Sequence, residues 1–190
     1  IHIVIVSILF GFMTTYVSEA IADIKVPTAA DISVSNIFLD DPESTRMVLG
    51  SLPEMKEHDD DFPHVHVCSS NSKELLTLVF HFGGINGSFN EFRIQYIDEP
   101  IENCLKTSRE INKFVSGKGI KLGITKEEVI RKLGQNFKQT SRGDEETLNY
   151  VINDFDKSSF LKKYNMPVYY GSYLFKQGKL YKFEFGFEYP

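Results

Sequence analysis

Cysteine and tryptophan are scarce in this chain of 190 residues: Cys68 and Cys104 are the only cysteines, and there is no Trp. Two thiols allow one disulfide at most, in an oxidising compartment, and otherwise two separate buried side chains. Catalytic signatures are also missing. There is no Gly-x-Ser-x-Gly elbow, and no Cys–His pair sits in a recognisable context. Gly83-Gly84-Ile85-Asn86-Gly87 lacks the Gly-Lys-Ser/Thr ending of a phosphate loop and lies between two strand-like runs, so it reads as a turn. Asn86-Gly87-Ser88 has the form of a glycosylation acceptor, meaningful only in a eukaryotic secretory pathway. No Arg-rich stripe accompanies the lysines, which argues against a nucleic-acid partner. Together these absences favour a protein that is not an enzyme and needs no cofactor.

Long apolar runs are confined to one place. Ile1 to Val17 is nearly all apolar and leads into Ala20-Ile21-Ala22, the small-x-small form of a cleavage site. Residues 1–22 are therefore expected to be an export signal, with an uncleaved anchor as the competing reading. The run is slightly short of the ~20 residues a span needs. No Cys follows it to carry a lipid. The expected location is the periplasm or the medium, with membrane contact only through the signal.

Charge is divided unevenly. Asp23 to Glu99 holds 5 Lys/Arg against 14 Asp/Glu, net −9, whereas Pro100 to Pro190 holds 16 against 11, net +5. Unlike halves can attract each other or show unlike surfaces to a partner; simple drift between the halves would look the same.

What is present is a repeat. Ile37-Phe38-Leu39-Asp40-Asp41-Pro42 runs through a helix-like segment to Leu49-Gly50, and Ile120-Lys121-Leu122-Gly123-Ile124-Thr125 does so to Leu133-Gly134. Each copy then continues into β-rich runs joined by a Gly-containing turn, the mark of a duplicated supersecondary unit. Asp41 with Pro42 and Thr125 with Glu128 are helix starts, and Gly50 and Gly134 are stops. Strands are expected at 64–68, 75–82 and 89–96 in the first copy, and at 147–152, 168–175 and 180–187 in the second. Ile101, Leu105, Ile111, Phe114 and Val115 suit an amphipathic connecting helix. The expected architecture is α+β. Residues 23–99 and 119–190 would form two tandem helix-plus-antiparallel-sheet units joined by a helix in 100–118, with short helices packed on one face of each sheet.

The last hairpin can be divided by face. A two-residue Gln177-Gly178 turn predicts the pairs Leu174–Tyr181, Ser172–Phe183 and Tyr170–Phe185 on the buried side. Tyr169, Tyr173, Phe175, Leu180 and Lys182 then lie on the open side as candidate partner-binding residues, unless those aromatics pack against the other repeat. A register shift of one residue would exchange the sets.

The run Ile120-x-Leu122-Gly123-x-Thr125 with Val129 and Leu133-Gly134, and the later Leu174-Phe175-Lys176-Gln177-Gly178-Lys179-Leu180, resemble the SmpA/OmlA (BamE) and β-lactamase-inhibitor-protein superfamily. The resemblance spans roughly 119–189 and is looser in the first copy, where Asp40-Asp41-Pro42 replaces Gly-x-Thr. It implies helix-backed sheets that dock a protein or an envelope component, or a secreted enzyme inhibitor. A disulfide in each repeat and a lipidated Cys, which mark particular members, are absent here.

One reactive-looking constellation remains. His64, His66 and Cys68 share one face of a strand, and His81 on a neighbouring strand can approach them, with His58 nearby. Imidazole and thiolate suit zinc, so a metal-binding protein is the alternative to a docking protein; a His-rich polar loop needs no metal. A purely structural envelope component is the third expectation.

Overall fold

Cap chemistry sets the helices. The computed structural model describes residues 26–53, 56–58, 61–81, 88–101 and 104–188. Helix α1 (Pro42–Leu49) starts where the Asp41 carboxylate accepts the Glu43 and Ser44 N–H groups, and ends at Gly50 with φ 82°. Helix α2 (Lys126–Leu133) opens with a complete capping box between Thr125 and Glu128. Helix α3 (Ser159–Tyr164) is capped by Ser158 and closed by Asn165 in the left-handed region. With only 8, 8 and 6 residues, these helices depend on packing rather than on their own propensity.

The strands run β1 (Ser33–Val34), β2 (Ile37–Phe38), β3 (Lys56–His58), β4 (Asp61–Cys68), β5 (Glu74–Val79), β6 (Glu91–Tyr96), β7 (Lys138–Arg142), β8 (Glu145–Ile152), β9 (Tyr169–Lys176) and β10 (Lys179–Phe187). Strands β1 and β2 form a small pair. The others form one antiparallel sheet in the order β3-β4-β5-β6-β10-β9-β8-β7.

The expected α+β pair of separate helix-plus-sheet units is therefore wrong. The chain is mostly β, and its two halves share a single sheet. Strands β6 and β10 join edge to edge from Lys182 opposite Gln95 to Gly186 opposite Glu91. Each half alone would expose a row of unpaired backbone groups at this edge, and pairing the two edges satisfies both. The core is likewise one body: Leu76, Leu78, Phe92 and Ile94 from the first half belong to the same buried cluster as Phe183, Phe185, Val129 and Phe160 from the second.

The connector is not helical in its described residues. It runs extended beside the first half, with Leu105 in a parallel bridge to Val67. Cys68 N–H donates to the Leu105 carbonyl and Leu105 N–H to that of His66. Further on, Phe114 N–H donates to the Glu74 carboxylate at 2.7 Å and Lys118 N–H to Asp31 at 3.0 Å. These fixed acceptors outcompete a helix whose apolar stripe has only five members.

Asp31 is buried, and desolvation raises its pKa above the usual range despite hydrogen bonds from Ser116 and from the Lys118, Ile32 and Ser33 backbone. A carboxyl whose folded pKa lies above its unfolded value, ~3.9, takes up its proton earlier in the native state. Its contribution to stability therefore rises as pH falls through the folded pKa and levels off below the unfolded one. Relative to Asp31→Asn, the wild-type protein should gain stability between pH 7 and pH 4, measured as the shift in urea midpoint. A constant difference across that window would count against the burial of this carboxylate.

Candidate functional site

Alternation along the strands divides the sheet into two faces. One carries Val67, Leu76, Leu78, Phe92, Ile94, Phe183, Phe185, Phe187, Tyr169, Tyr173, Phe175, Leu148 and Tyr150, all within the buried cluster that includes the helices. On the other face, which is open over β8–β10 and buried over β5 and β6, where Leu75, Thr77, Val79 and Glu91 are 0–8% exposed, no described helix lies in a comparable cluster. There the register aligns three rows of side chains. The first is His64, Val79, Glu91, Gly186, Tyr170 and Val151; the second His66, Thr77, Arg93, Glu184, Ser172, Asn149 and Lys138; the third Cys68, Leu75, Gln95, Lys182, Leu174, Thr147 and Thr140.

The two-residue turn forms as expected, with φ 50° at Gln177 and 73° at Gly178, the left-handed pair a tight hairpin needs. The facing pairs do not. Leu180 lies opposite Phe175, but Lys182 lies opposite Leu174, so Tyr181 is an extra residue in a β-bulge. From there on, Phe183 faces Tyr173 and Phe185 faces Gly171. The bulge shifts the register by one, so the β9 residues and Leu180 change sides while Lys182, Phe183 and Phe185 keep theirs. Tyr169, Tyr173, Phe175 and Leu180, expected on the open side, are 0–1% exposed in the core. Lys182 alone among the five candidate residues lies on the open face. The residues put in their place are Tyr170, Ser172 and Leu174 of β9, which no uninterrupted period-2 pattern selects, whereas Glu184 lies on the open side with Lys182 as alternation requires.

The centre of this face is polar and self-paired. The buried Glu91 carboxylate lies 3.5 Å from His81 Nε2 and is bonded by Arg93 Nε. Burial would push Glu91 up, but hydrogen bonds from His81, Arg93 and Tyr170 together hold it below the usual carboxylate range. Burial and the facing Glu91 push the Tyr170 phenol far up, so it stays protonated as a donor. Beside it, Lys182 and Glu184 pair at 3.4 Å, and Lys176 and Glu145 at 3.1 Å. A cavity of about 150 Å³ lies among Thr147, Ser172, Leu174, Lys182 and Glu184, large enough for one side chain.

Charges on the described strand residues of this face are Arg93, Lys138, Arg142, Lys176, Lys179 and Lys182 against Glu91, Glu145 and Glu184, net +3. The whole chain is −5. The open face is thus locally basic on an acidic protein, and its density of hydroxyl, amide and paired ionic groups suits recognition of a polar surface.

Cys68 and Cys104 form a disulfide with a Cα–Cα distance of 5.7 Å, which removes Cys68 from any ligand set. The bond lines an open cleft of about 850 Å³ at the end of the sheet, between Ser69, Ile97–Ile101 and Lys106–Glu110. His81 is set against Glu91 and Phe62, while His64 and His66 pack on each other with ring centroids 5.1 Å apart. Among the described residues no three His, Cys, Asp or Glu side chains gather around one point for a metal. The His58 side chain and the 1–22 segment lie outside the described residues. No family model, curated protein or solved structure matches this chain.

Proposed function

We propose that this chain is an exported, non-enzymatic binding protein that docks the acidic surface of a partner protein on the open face of its sheet. The observation that carries the proposal is a sheet eight strands wide, with every described helix on one face and a locally basic polar array on the other. Export is supported by the signal-like start and by the Cys68–Cys104 disulfide, which belongs to an oxidising compartment. Partner specificity would come from the ion pairs: a partner carboxylate can compete with Glu184 for Lys182, or with Glu145 for Lys176, while Leu174 offers apolar contact between them.

Lys176→Ala combined with Lys182→Ala tests the proposal. Both side chains are partly exposed, so thermal stability should stay within about 1 kcal/mol. Affinity for a partner captured by the wild-type protein from envelope extract should fall on the order of tenfold or more, with weaker dependence on salt. Equal affinity and equal salt dependence in the double variant would reject this face as the docking surface.

A further inference from the structure

His64 and His66 occupy alternate positions of β4 and therefore project from the same, open face of the sheet. His64 Nδ1 lies 2.9 Å from the Phe62 carbonyl oxygen. A carbonyl oxygen has no proton to give, so Nδ1 is the donor, and in the neutral ring the lone pair is on Nε2. This is the tautomer found in metal-ligating histidines, whose second nitrogen is fixed by a backbone or carboxylate acceptor. The ring centroids stand 5.1 Å apart. With metal–nitrogen bonds of about 2.0–2.1 Å, two imidazoles meeting at a tetrahedral angle have centroids separated by roughly 5 Å. The separation of the two rings is thus that of two imidazoles sharing one ion.

We infer that His64 and His66 form a two-imidazole chelate for a divalent late transition metal ion of the zinc type, on the same sheet face as Thr77 and the Glu91–Arg93 network. Cys68, which shares that face, is held in the disulfide. Among the described residues no third His, Cys, Asp or Glu joins the pair around one point. Zn²⁺ fits the geometry, and Cu²⁺ should bind the same nitrogens more tightly by the general order of metal affinities. The inference does not depend on the docking proposal, because metal binding is measured on the protein alone.

Zn²⁺ titrated into the full chain by calorimetry should show one equivalent bound. Either His64→Gln or His66→Gln should weaken it at least tenfold, with an unchanged circular dichroism spectrum. A measurement on the unmodified protein guards against a folding defect in the variants: trace Cu²⁺ should broaden the His64 and His66 ring resonances before any others. No heat with Zn²⁺ up to millimolar concentration, unaltered affinity in a folded variant, or broadening centred on other residues would each overturn the inference.

Discussion

Tyr169→Ala is expected to cost the fold about 3–5 kcal/mol and to register as lost stability rather than as selectively lost binding. The ring is fully buried against Phe160 and Phe187, with centroids 5.6 and 5.9 Å away. Its hydroxyl does two further things: it accepts the Asp31 N–H at 2.7 Å and donates to the Asp31 carbonyl at 2.9 Å, tying the lead-in of the chain to β9 across 138 residues. Alanine would leave a cavity and strand both backbone groups of Asp31 in a buried site. Tyr169→Phe separates the two effects, since it keeps the ring and removes only the hydroxyl; about 1–3 kcal/mol is expected from the unsatisfied backbone alone. Urea unfolding of the three proteins measures both. An alanine variant as stable as wild type but defective in binding would mean that the aromatics of β9 face outward after all.

Local chemistry was legible in the sequence and long-range pairing was not. The Asp41-Pro42 and Thr125-x-x-Glu128 signatures mark helix starts because a cap is satisfied by neighbours within three residues. The Gln177-Gly178 turn is legible for the same reason. The Tyr181 bulge leaves no comparable mark: its effect is to keep Leu180 and Phe183 both buried, and a Leu-x-x-Phe spacing also fits a regular strand that turns one of them outward. One unseen residue therefore sent four of five candidate contact residues to the wrong face. The connector shows a different failure. Ile101 with Leu105, and Ile111 with Phe114 and Val115, have helical spacing, yet acceptors elsewhere in the chain, such as Glu74 for the Phe114 N–H and the Ser70 hydroxyl for the Ile111 N–H, draw the backbone straight. Helix α3 was missed although Ser158 caps it, because its six residues are too few to show a period.

The likeness of the 37–50 and 120–134 stretches and the single sheet are compatible at the seam. Each half supplies one long strand to it, and at its end Gly186 of β10 faces Glu91 of β6. Gly186→Ala is expected to have the second large effect, and to place it at this seam. A methyl group on Gly186 would stand 2.3 Å from the Asn90 carbonyl oxygen and 2.5 Å from Glu91 Cα. Both are backbone atoms, so no rotamer change can relieve the clash and the strands themselves must part. The Phe187 N–H bond to the same Asn90 carbonyl, at 2.9 Å, would be strained with it. So would the Asn90 side chain, which accepts the His81 N–H, and Glu91, the centre of the buried ionic network. Overpacking of this kind costs about 1–3 kcal/mol and more where backbone must move, so a loss near 3 kcal/mol is expected, about 6–12 °C in Tm for a chain of this size. Amide exchange should locate the damage: protection in β6 and β10 should fall first, while the β7–β8 pair, separated from β10 by β9, keeps its own. If Gly186→Ala unfolds within about 0.5 kcal/mol of wild type, the two halves do not meet in this register, and the open face loses the continuity across the seam that brings Arg93 beside Glu184.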